Sequence, residues 1–313
     1  MGQAGGATAG QFLGLGIDVG GTGVKMAVVD LAHGTLVSDR VRERTPEPAT
    51  PEAVIETIGR LAERLEATGQ PLHGLPTGCG LPGVVKDGRL LTAANIDKRW
   101  IDAPAAEMLS ERLGHRAIII NDADAAGVAE MAFGAGVGRR GVVLMLTLGT
   151  GIGSGLFVDG LLVPNTEFGH VTFHRRDAET LVSATSRERR GLGWKRWARE
   201  FGDYIALLDR YLWPDVIILG GGISKVADKW LPRVESRMPL VTARLLNSAG
   251  IVGAALAAAG PAAVAGTSAA RVVAGAEGEA AGEAESPTDA ASAAQSPQGP
   301  GADDHAGPAP EGA

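Results

Sequence analysis

Residues 16–25 read Gly16-Ile17-Asp18-Val19-Gly20-Gly21-Thr22-Gly23-Val24-Lys25, a glycine-rich turn between two apolar runs. The first run covers residues 12–19 and the second covers 24–29, and a further strand is expected from Thr35 after a turn at 32–34. Short apolar runs bounded by turn residues are typical of strands. The segment therefore predicts an antiparallel meander whose first turn is rich in glycine.

A second unit of the same kind begins at Val142. An apolar run over 142–148 enters the turn Gly149-Thr150-Gly151-Ile152-Gly153, a strand returns over 154–158, and Asp159-Gly160 leads into another at 161–163. An Asp-Gly pair between apolar runs is a strong hairpin signal. Two strand–Gly-Thr-Gly–strand units predict a duplicated α/β core with a cleft between its halves.

Helical spacing and further apolar runs supply the remaining elements. Apolar residues recur at steps of three or four from Val54 to Leu65, and again between 194 and 212, where the helix should end before Pro214. The aromatic stripe of this second helix predicts core packing rather than a cofactor site. Further helices are expected over 105–113 and 249–258, the latter capped by Asn247 or Ser248, and buried strands over 78–81, 117–120 and 216–219.

Length and composition predict how the chain divides. Its 313 residues, 45% of them hydrophobic, can form two lobes around a substantial core. We expect a small α/β lobe over 11–120, joined by the C-terminal helix 247–259, and a large α/β lobe over 121–246. Residues 1–10 and the acidic, Ala-, Gly- and Pro-rich tail 261–313 hold few large apolar side chains and are expected to be disordered.

Cysteine count, hydropathy and charge exclude several classes of protein. A single cysteine, Cys79, excludes an intrachain disulfide and a cysteine-rich zinc site, and it is expected to lie buried in a strand. No apolar run reaches the roughly 20 residues that span a bilayer, and no signal-peptide pattern opens the chain, so a cytoplasmic protein without membrane partners is expected. The net charge of −7 resides in residues 261–313, and the neutral remainder shows no basic stripe for nucleic acid.

Three glycine turns follow apolar strands, at 20–22, 149–151 and 220–222. Glycine lets the backbone approach a phosphate closely and point its N–H groups at the oxygens. One such turn is weak evidence, but three together favour a phosphate chain lying in a cleft. Asp18, at the end of the first strand, can hold Mg²⁺ directly or through water; the alternative is an aspartate that caps its own turn.

Polar side chains follow two other apolar segments. Asn121-Asp122-Ala123-Asp124 comes directly after the strand 117–120 and begins a helix, and an aspartate there can accept a proton from an attacking hydroxyl. Helix capping alone would explain one of these residues. Glu167 and His170 can bind neighbouring sugar hydroxyls; the alternatives are half of a metal site or a chance surface pair.

The order of these motifs resembles that of the ROK family of sugar kinases. The motifs are residues 16–25, Asn121-Asp122-Ala123-Asp124, residues 148–153, Glu167-x-Gly169-His170 and Gly220-Gly221-Gly222. Further segments resemble the polyphosphate-using branch of that family: Ala94-Asn95-Ile96-Asp97-Lys98, residues 164–170, Trp213-Pro214-Asp215, Gly222-Ile223-Ser224-Lys225 and residues 247–253. The resemblance covers roughly residues 12–260 and neither terminal segment.

The resemblance implies an actin-like, ribonuclease-H-like duplicated fold with two lobes and an interlobe active-site cleft. It implies transfer of a phosphoryl group from inorganic polyphosphate, ATP or both to the 6-hydroxyl of D-glucose, with Mg²⁺, in a homodimer. It assigns Asp122 as the base. Sugar contacts are assigned to Gly83, Asn95, Asn121, Glu167, His170 and Glu179, and donor contacts to Gly20, Gly21, Thr22, Lys25, Gly149, Thr150, Gly151, Gly220, Gly221 and Gly222, the last three against adenosine when ATP is the donor.

One departure from most of the family bears on metal and substrate. Residues 171–190 contain no cysteine, whereas most ROK sugar kinases carry a cysteine-rich zinc motif after Gly-His. This fits the polyphosphate-using branch, argues against N-acetylmannosamine and N-acetylglucosamine kinases, and predicts no zinc and a His170 that touches sugar. Because polyphosphate has no base, its binding must be electrostatic. Candidate cations are Lys25, Lys98, Arg99, Lys225, Lys229 and Arg233.

Several alternatives stay open at this point. A DNA-binding ROK regulator would need a helix-turn-helix domain before the first glycine turn, and a non-catalytic sugar sensor should have lost Asp122 or Asp18. Among enzymes, the alternatives are a strictly ATP-dependent glucokinase and a hexokinase that also accepts mannose.

Overall fold

The structure, a computed structural model, describes residues 12–260. The predictions of disorder for 1–10 and 261–313 lie outside the described residues. The strands are β1 (Leu13–Gly20), β2 (Gly23–Asp30), β3 (Thr35–Leu36), β4 (Val41–Glu43), β5 (Thr77–Leu81), β6 (Val85–Lys86), β7 (Arg89–Leu90), β8 (Ala117–Asn121), β9 (Val142–Leu148), β10 (Ile152–Val158), β11 (Leu161–Val163), β12 (Thr172–Phe173), β13 (Arg176–Asp177), β14 (Val216–Gly220) and β15 (Leu240–Thr242).

Two larger sheets share one topology. The first has the order β3-β2-β1-β5-β8, with β4 also paired to β2, and the second has the order β11-β10-β9-β14-β15. In each, an antiparallel meander is followed by two parallel strands. The duplication expected from the two Gly-Thr-Gly units is therefore confirmed at the level of strand order. The lobe boundary between residues 120 and 121 stays a prediction.

Helices cover the sheets and fill the space between them. They are α1 (Pro51–Glu66), α2 (Ala105–Leu113), α3 (Asp122–Phe133), α4 (Glu179–Val182), α5 (Ala184–Arg189), α6 (Trp194–Leu212) and α7 (Ala249–Ala259). One apolar cluster joins the first sheet to α1 and α2, a second joins the other sheet to α6, and a third lies around α3 and α7. Cys79 is buried in β5, as expected from its sequence context.

Local sequence explains most helix ends. Thr50 caps α1 by accepting a hydrogen bond from the amide of Ala53 at 3.2 Å, and Pro51 occupies the first turn, where a missing N–H costs nothing. The aromatic stripe of α6 lies in the core, with the rings of Trp197 and Phe201 stacked at 5.1 Å. Of the two residues expected to cap α7, Asn247 or Ser248, Ser248 stands at the cap position but its side chain makes no cap hydrogen bond, because a 3₁₀ turn over Leu246–Ser248 leads directly into the helix.

Helices α3 and α7 pack in backbone contact. A Cβ atom at Gly253 of α7 would overlap the main chain of Ala125 in α3. The two helices can approach this closely only because position 253 has no side chain. This packing fixes the position of α3, whose first residue is Asp122.

Strand direction brings the carboxyl ends of the parallel strands, and the segments that follow them, to the same end of each sheet. The parallel strands β1, β5 and β8 run in the same direction, so Asp18, Leu81 and Asn121 end up near one another. In the second sheet β9 and β14 likewise deliver the glycine turns that follow them. Within residues 12–260, no helix combines the length and apolar character that a membrane span would need.

Candidate active site

One pocket of about 200 Å³ collects several of the predicted residues. We call it the aspartate pocket, and it is lined by Asp18, Lys25, Asp122, Gly220, Gly221, Gly222, Lys225, Asn247 and neighbouring side chains. These residues come from β1, β2, α3, the segment after β14 and the segment before α7. The pocket also includes Met145 and Thr147 of β9, so all three strands that precede the glycine turns reach this carboxylate-lined space.

Asp122 is the first residue of α3 and is half-buried at the wall of this pocket. Asn121 caps the helix, accepting hydrogen bonds from the amides of Ala123 and Asp124 at 2.9 Å each. Removal of the Asp122 carboxyl from water, together with the charge of Asp18, raises its pKa to about 7. A carboxylate with this pKa can accept a proton at neutral pH.

Asp18 lies opposite Lys25 in the β1–β2 hairpin. The ammonium Nζ of Lys25 lies 2.6 Å from Oδ2 of Asp18, and both side chains are largely shielded from solvent. The partner found for Asp18 is therefore this lysine rather than the amides of its own turn. The pair provides one carboxylate and one ammonium group at the same wall of the aspartate pocket.

The turn after β14 needs glycine at its centre. Gly221 has a φ of 80°, and a Cβ there would overlap the carbonyl of Leu148 at the end of β9. Both the left-handed backbone and the close approach exclude other residues. The turn therefore lies directly against the end of the neighbouring strand and leaves its own backbone facing the aspartate pocket.

A second group of predicted residues forms what we call the polar cluster: Gly83, Asn95, Asn121, Glu167, His170 and Glu179. The amide Nδ2 of Asn121 donates to the carbonyl of Gly83 at 3.0 Å and lies 3.5 Å from Oε1 of Glu167. Oε2 of Glu167 lies 3.8 Å from Nε2 of His170. Because Asn121 precedes Asp122, the cluster adjoins the aspartate pocket.

Glu179 and Asn95 meet at the second Gly-Thr-Gly turn. The carboxylate of Glu179 accepts a hydrogen bond from the amide of Ile152 at 3.1 Å. A Cβ at Gly151 would touch the same carboxylate and lie 3.0 Å from Nδ2 of Asn95. Glu179 begins the short helix α4, so a residue with little sequence signature around it is brought to the polar cluster.

Charges within the polar cluster shift the ionisation of two members. Burial raises the pKa of Glu167, opposed by His170 and reinforced by Glu179. For His170, burial lowers the pKa, but the carboxylates of Asp177, Glu179 and Glu167 outweigh it and raise the pKa overall. Oδ2 of Asp177 accepts a hydrogen bond from Nδ1 of His170 at 3.0 Å, which fixes the ring orientation.

The predicted donor residues do not all reach the aspartate pocket. Gly20 and Gly21 line a neighbouring pocket of about 260 Å³ together with Pro82 and Asn95. The carbonyl of Thr22 accepts a hydrogen bond from Arg42 at 3.1 Å. The turn of Gly149, Thr150 and Gly151 lies on the side of Glu179 and Asn95.

Some of the candidate cations line the aspartate pocket and others do not. Lys25 and Lys225 line the aspartate pocket. Lys98 donates to the carbonyl of Ala93 at 2.5 Å, and Arg99 is paired with Asp97, its own helix cap, at 2.9 Å. Lys229 and Arg233 follow along the chain in 3₁₀ turns, with Arg233 donating to the carbonyl of Lys229 at 2.6 Å.

The sequence did not indicate several residues whose hydrogen bonds position the predicted site residues. Asp177 lies in a segment without a recognisable motif, so no sequence signal points to it. Asp124 and Asn165 lie within motifs that carry the family resemblance, but those motifs do not indicate that the two residues contact each other. In the structure, Oδ2 of Asp124 accepts a hydrogen bond from the amide of Asn165 at 2.8 Å. Ser154 was predicted only as part of a returning strand, yet its hydroxyl fixes the segment that carries Glu167.

Comparison with known proteins places this geometry in a family. The ROK family model matches residues 14–183. The chain is 45% identical over 248 residues to a polyphosphate glucokinase of Mycobacterium tuberculosis, covering 79% of this chain and 91% of that one. It is 43% identical over 251 residues to a polyphosphate glucokinase of Mycobacterium leprae, covering 80% and 76% of the two chains.

Solved structures agree with this relationship. The inorganic polyphosphate/ATP-glucomannokinase of Arthrobacter sp. strain KM superposes with a TM-score of 0.76 at 47% identity, covering 79% of this chain and 98% of that one. A ROK family glucokinase of Streptomyces griseus in complex with glucose and AMPPNP gives a TM-score of 0.66 at 25% identity, covering 78% and 98%. The chain therefore belongs to the ROK family, and it has the two-lobed, actin-like α/β fold of the family's sugar kinases.

Proposed function

We propose that this protein is a glucokinase that transfers a phosphoryl group from inorganic polyphosphate, or from ATP, to the 6-hydroxyl of D-glucose. The observation that carries the proposal is Asp122, a carboxyl with a pKa raised to about 7 at the junction of the aspartate pocket and the polar cluster. The 45% identity to polyphosphate glucokinases over most of the chain supports both the acceptor and the donor.

In the proposed reaction Asp122 accepts the proton of the 6-hydroxyl as the oxygen attacks the terminal phosphorus of the donor. The new bond joins the sugar oxygen to phosphorus, and the bond from phosphorus to the bridging oxygen of the donor breaks. The leaving group is the shortened polyphosphate or ADP. Positioning and charge neutralisation supply most of the catalysis in such reactions, so the surrounding residues matter as much as the base.

The polar cluster is the proposed sugar site. Carboxylates and an imidazole on separate chain segments can accept and donate hydrogen bonds to several hydroxyls at once. The proposed contacts are Asn95, Asn121, Glu167, His170 and Glu179, with the backbone of Gly83. His170, oriented by Asp177, would donate from Nε2, the nitrogen that faces Glu167.

The aspartate pocket is the proposed donor site. Lys25, Lys225 and the turn of Gly220, Gly221 and Gly222 line it. The proposed donor contacts extend to Gly20, Gly21 and Thr22 at the neighbouring pocket and to Gly149, Thr150 and Gly151 beside Glu179. Asp18 offers the oxygen ligand that Mg²⁺ prefers when phosphates and water complete its coordination, so the residues present fit this ion. Bound there, Mg²⁺ would neutralise charge on the donor phosphates.

The donor is the point on which the nearest alternatives differ. A strictly ATP-dependent glucokinase is favoured by the similarity to the Streptomyces griseus enzyme, whose structure holds AMPPNP. Mannose as a second acceptor is suggested by the glucomannokinase of Arthrobacter. The presence of both Asp122 and Asp18 argues against a non-catalytic sensor. We further propose a zinc-free homodimer that acts in the cytoplasm and feeds glycolysis.

The test is formation of glucose 6-phosphate by the purified full-length protein, assayed separately with polyphosphate and with ATP in the presence of Mg²⁺. Activity with polyphosphate is expected, and mannose in place of glucose measures acceptor range. The Asp122→Asn variant, purified in the same way, controls for contaminating kinases. Absence of product with both donors would reject the proposal, and product with ATP alone would select the ATP-dependent alternative.

A further inference from the structure

The side chain of Asn165 pairs with both backbone groups of Val85. Its Oδ1 accepts the amide of Val85 at 2.8 Å, and its Nδ2 donates to the carbonyl of Val85 at 2.8 Å. The two residues are 80 positions apart and belong to different segments: Val85 begins the β6–β7 hairpin, and Asn165 follows β11. A side-chain amide here replaces the backbone partner that an adjacent strand would provide.

Asn165 is itself fixed by α3. Its backbone amide donates to Oδ2 of Asp124 at 2.8 Å, and Asp124 is only 1% exposed. Asn165 has a φ of 61°, a left-handed conformation that asparagine adopts more readily than most residues. Oδ1 of Asp124 has no hydrogen-bond partner within residues 12–260, so within these residues the carboxylate bonds through Oδ2 to the amide of Asn165. We call Asp124, Asn165 and Val85 the asparagine clasp.

Gly83 lies two residues before Val85, on the segment that leads into the hairpin held by the clasp. Within the hairpin, Thr92 accepts the amide of Val84 at 2.9 Å, and the amide of Leu91 donates to the carbonyl of Val84 at 2.8 Å. Toward the other side, Gly83 receives the hydrogen bond from Asn121. The hairpin is thus a self-bonded unit that two asparagines, 121 and 165, fasten at its first residues.

Asn165 of the clasp lies on the same chain segment as Glu167. Thr166 and Phe168, on either side of this carboxylate, are bonded to Ser154. Only Thr166 separates Asn165 from Glu167 along the chain, so the clasp sets the separation between Gly83 and Glu167. These two groups come from different parts of the chain and are both proposed to contact the sugar.

We propose that Asn165 is a positioning residue for the sugar: by fastening Val85 to α3 it fixes the spacing of the two sides of the hexose site, and it determines glucose affinity rather than donor affinity. The inference rests on the proposed function. A clasp that served stability alone would leave the glucose KM of the folded enzyme unchanged.

The test compares Asn165→Gly with the parent protein. Glycine keeps the left-handed backbone and removes only the amide, so strain does not confuse the result. Loss of two hydrogen bonds is expected to raise the KM and the calorimetric Kd for glucose about tenfold, with kcat and the donor KM changed by less than about twofold. Asn165→Asp, which keeps one acceptor for the Val85 amide but turns an oxygen toward the Val85 carbonyl, should show the same split.

The matched control is Asp87→Gly. Asp87 is exposed at the tip of the same hairpin, also has a positive φ, and lies outside the clasp, so its replacement should leave the glucose KM unchanged. An unchanged glucose Kd in both Asn165 variants, or an equal rise in the donor KM, overturns the inference. Failure of the parent protein to bind glucose at all would instead reject the proposed function, and the two failures are distinguished by the parent titration. If Asn165→Gly does not fold, Asn165→Asp decides.

Discussion

The two Gly-Thr-Gly hairpins share a sequence and a place in their sheets but differ in turn length and in what they carry. In the first, Gly20 pairs with Gly23 across a two-residue turn; in the second, Leu148 pairs with Ile152 across three residues. The third pair from the turn is Asp18 with Lys25 in the first hairpin. At the same place the second hairpin has Leu146 with Ser154.

This difference assigns separate tasks to the two copies. The charged pair of the first hairpin lines the aspartate pocket. Ser154 of the second is 1% exposed; its hydroxyl donates to the carbonyl of Thr166 at 2.7 Å and accepts the amide of Phe168 at 3.0 Å. One hairpin therefore provides charge at the proposed donor site, while its counterpart positions the segment that bears Glu167 at the proposed sugar site.

Asp122 stands where the two hairpins meet. Asp18 of the first raises its pKa, and Gly153 of the second packs against α3, where a Cβ would lie 2.8 Å from Cβ of Ala123. Replacement of Asp122 by Asn should therefore have the largest effect and should affect both donors equally. A loss of about 10²–10⁴ in kcat is expected in glucose 6-phosphate assays. A turnover near that of the parent would remove Asp122 from the mechanism.

The stability of the same variant relative to the parent protein should increase as the pH rises, because the parent loses stability when Asp122 ionises. The pKa of Asp122 is raised from its ordinary value of 3.8 to about 7, so between these pH values the unfolded chain has lost a proton that the folded protein keeps. The stability that comes from the retained proton is complete below pH 4 and disappears as pH rises through 7. Thermal unfolding should therefore show a Tm advantage of Asp122→Asn that is absent near pH 4 and complete above pH 7. A constant Tm difference across this range would contradict the assigned pKa.

Removal of the charge from the first hairpin by Asp18→Asn should have the next largest effect. Hydrogen bonds to charged groups contribute about 1.5–3 kcal/mol, so a fall of about 10- to 100-fold in kcat is expected. Because Asp18 raises the pKa of Asp122, the acidic limb of the kcat profile should also move to lower pH. A pH–rate profile of the variant checks the second point, and a shift to higher pH would exclude direct electrostatic coupling.

The corresponding change in the second hairpin, Ser154→Ala, should act on the sugar and not on the donor. It leaves the half-buried amide of Phe168 without its partner, at a cost of about 1 kcal/mol. We expect the KM for glucose to rise about fivefold while the donor KM stays within about twofold. Steady-state kinetics with each substrate varied in turn measures the split. A rise confined to the donor KM would show that the two hairpins do not divide the work as described.

Neutralisation of single candidate cations should change the kinetics least. No side-chain hydrogen bond or ion pair of Lys225 is found within the described residues, and it lines the aspartate pocket, whereas Arg99 already pairs with Asp97. Since exposed charges contribute about 0.2–1 kcal/mol, Lys225→Gln should raise the KM for polyphosphate about threefold, and Arg99→Gln should change it less. Assays at low and high salt provide the check. A larger effect at Arg99 would place polyphosphate beside Arg99 and not in the aspartate pocket.

Sequence patterns predicted the features that depend on local periodicity. The runs around the two hairpins gave their strands, and the position of Asp122 after β8 followed from an apolar segment ending in Asn121. The difference in turn length was not predictable, since Gly-Thr-Gly occurs in both copies and only strand pairing reveals the register. The contact of Asn165 with Val85 was also beyond reach, because nothing in a local pattern specifies a partner 80 residues away.

The close fit of Gly253 against Ala125 makes an unremarkable position decisive. Position 253 lies in an alanine-rich helix far along the chain from Asp122, yet any side chain there would push α3 outward and carry the proposed base with it. Along α7, tolerance to mutation should thus follow the distance to α3 and not only the distance to the reacting atoms. A redesign of the cleft must therefore keep the close approach of α7 to α3.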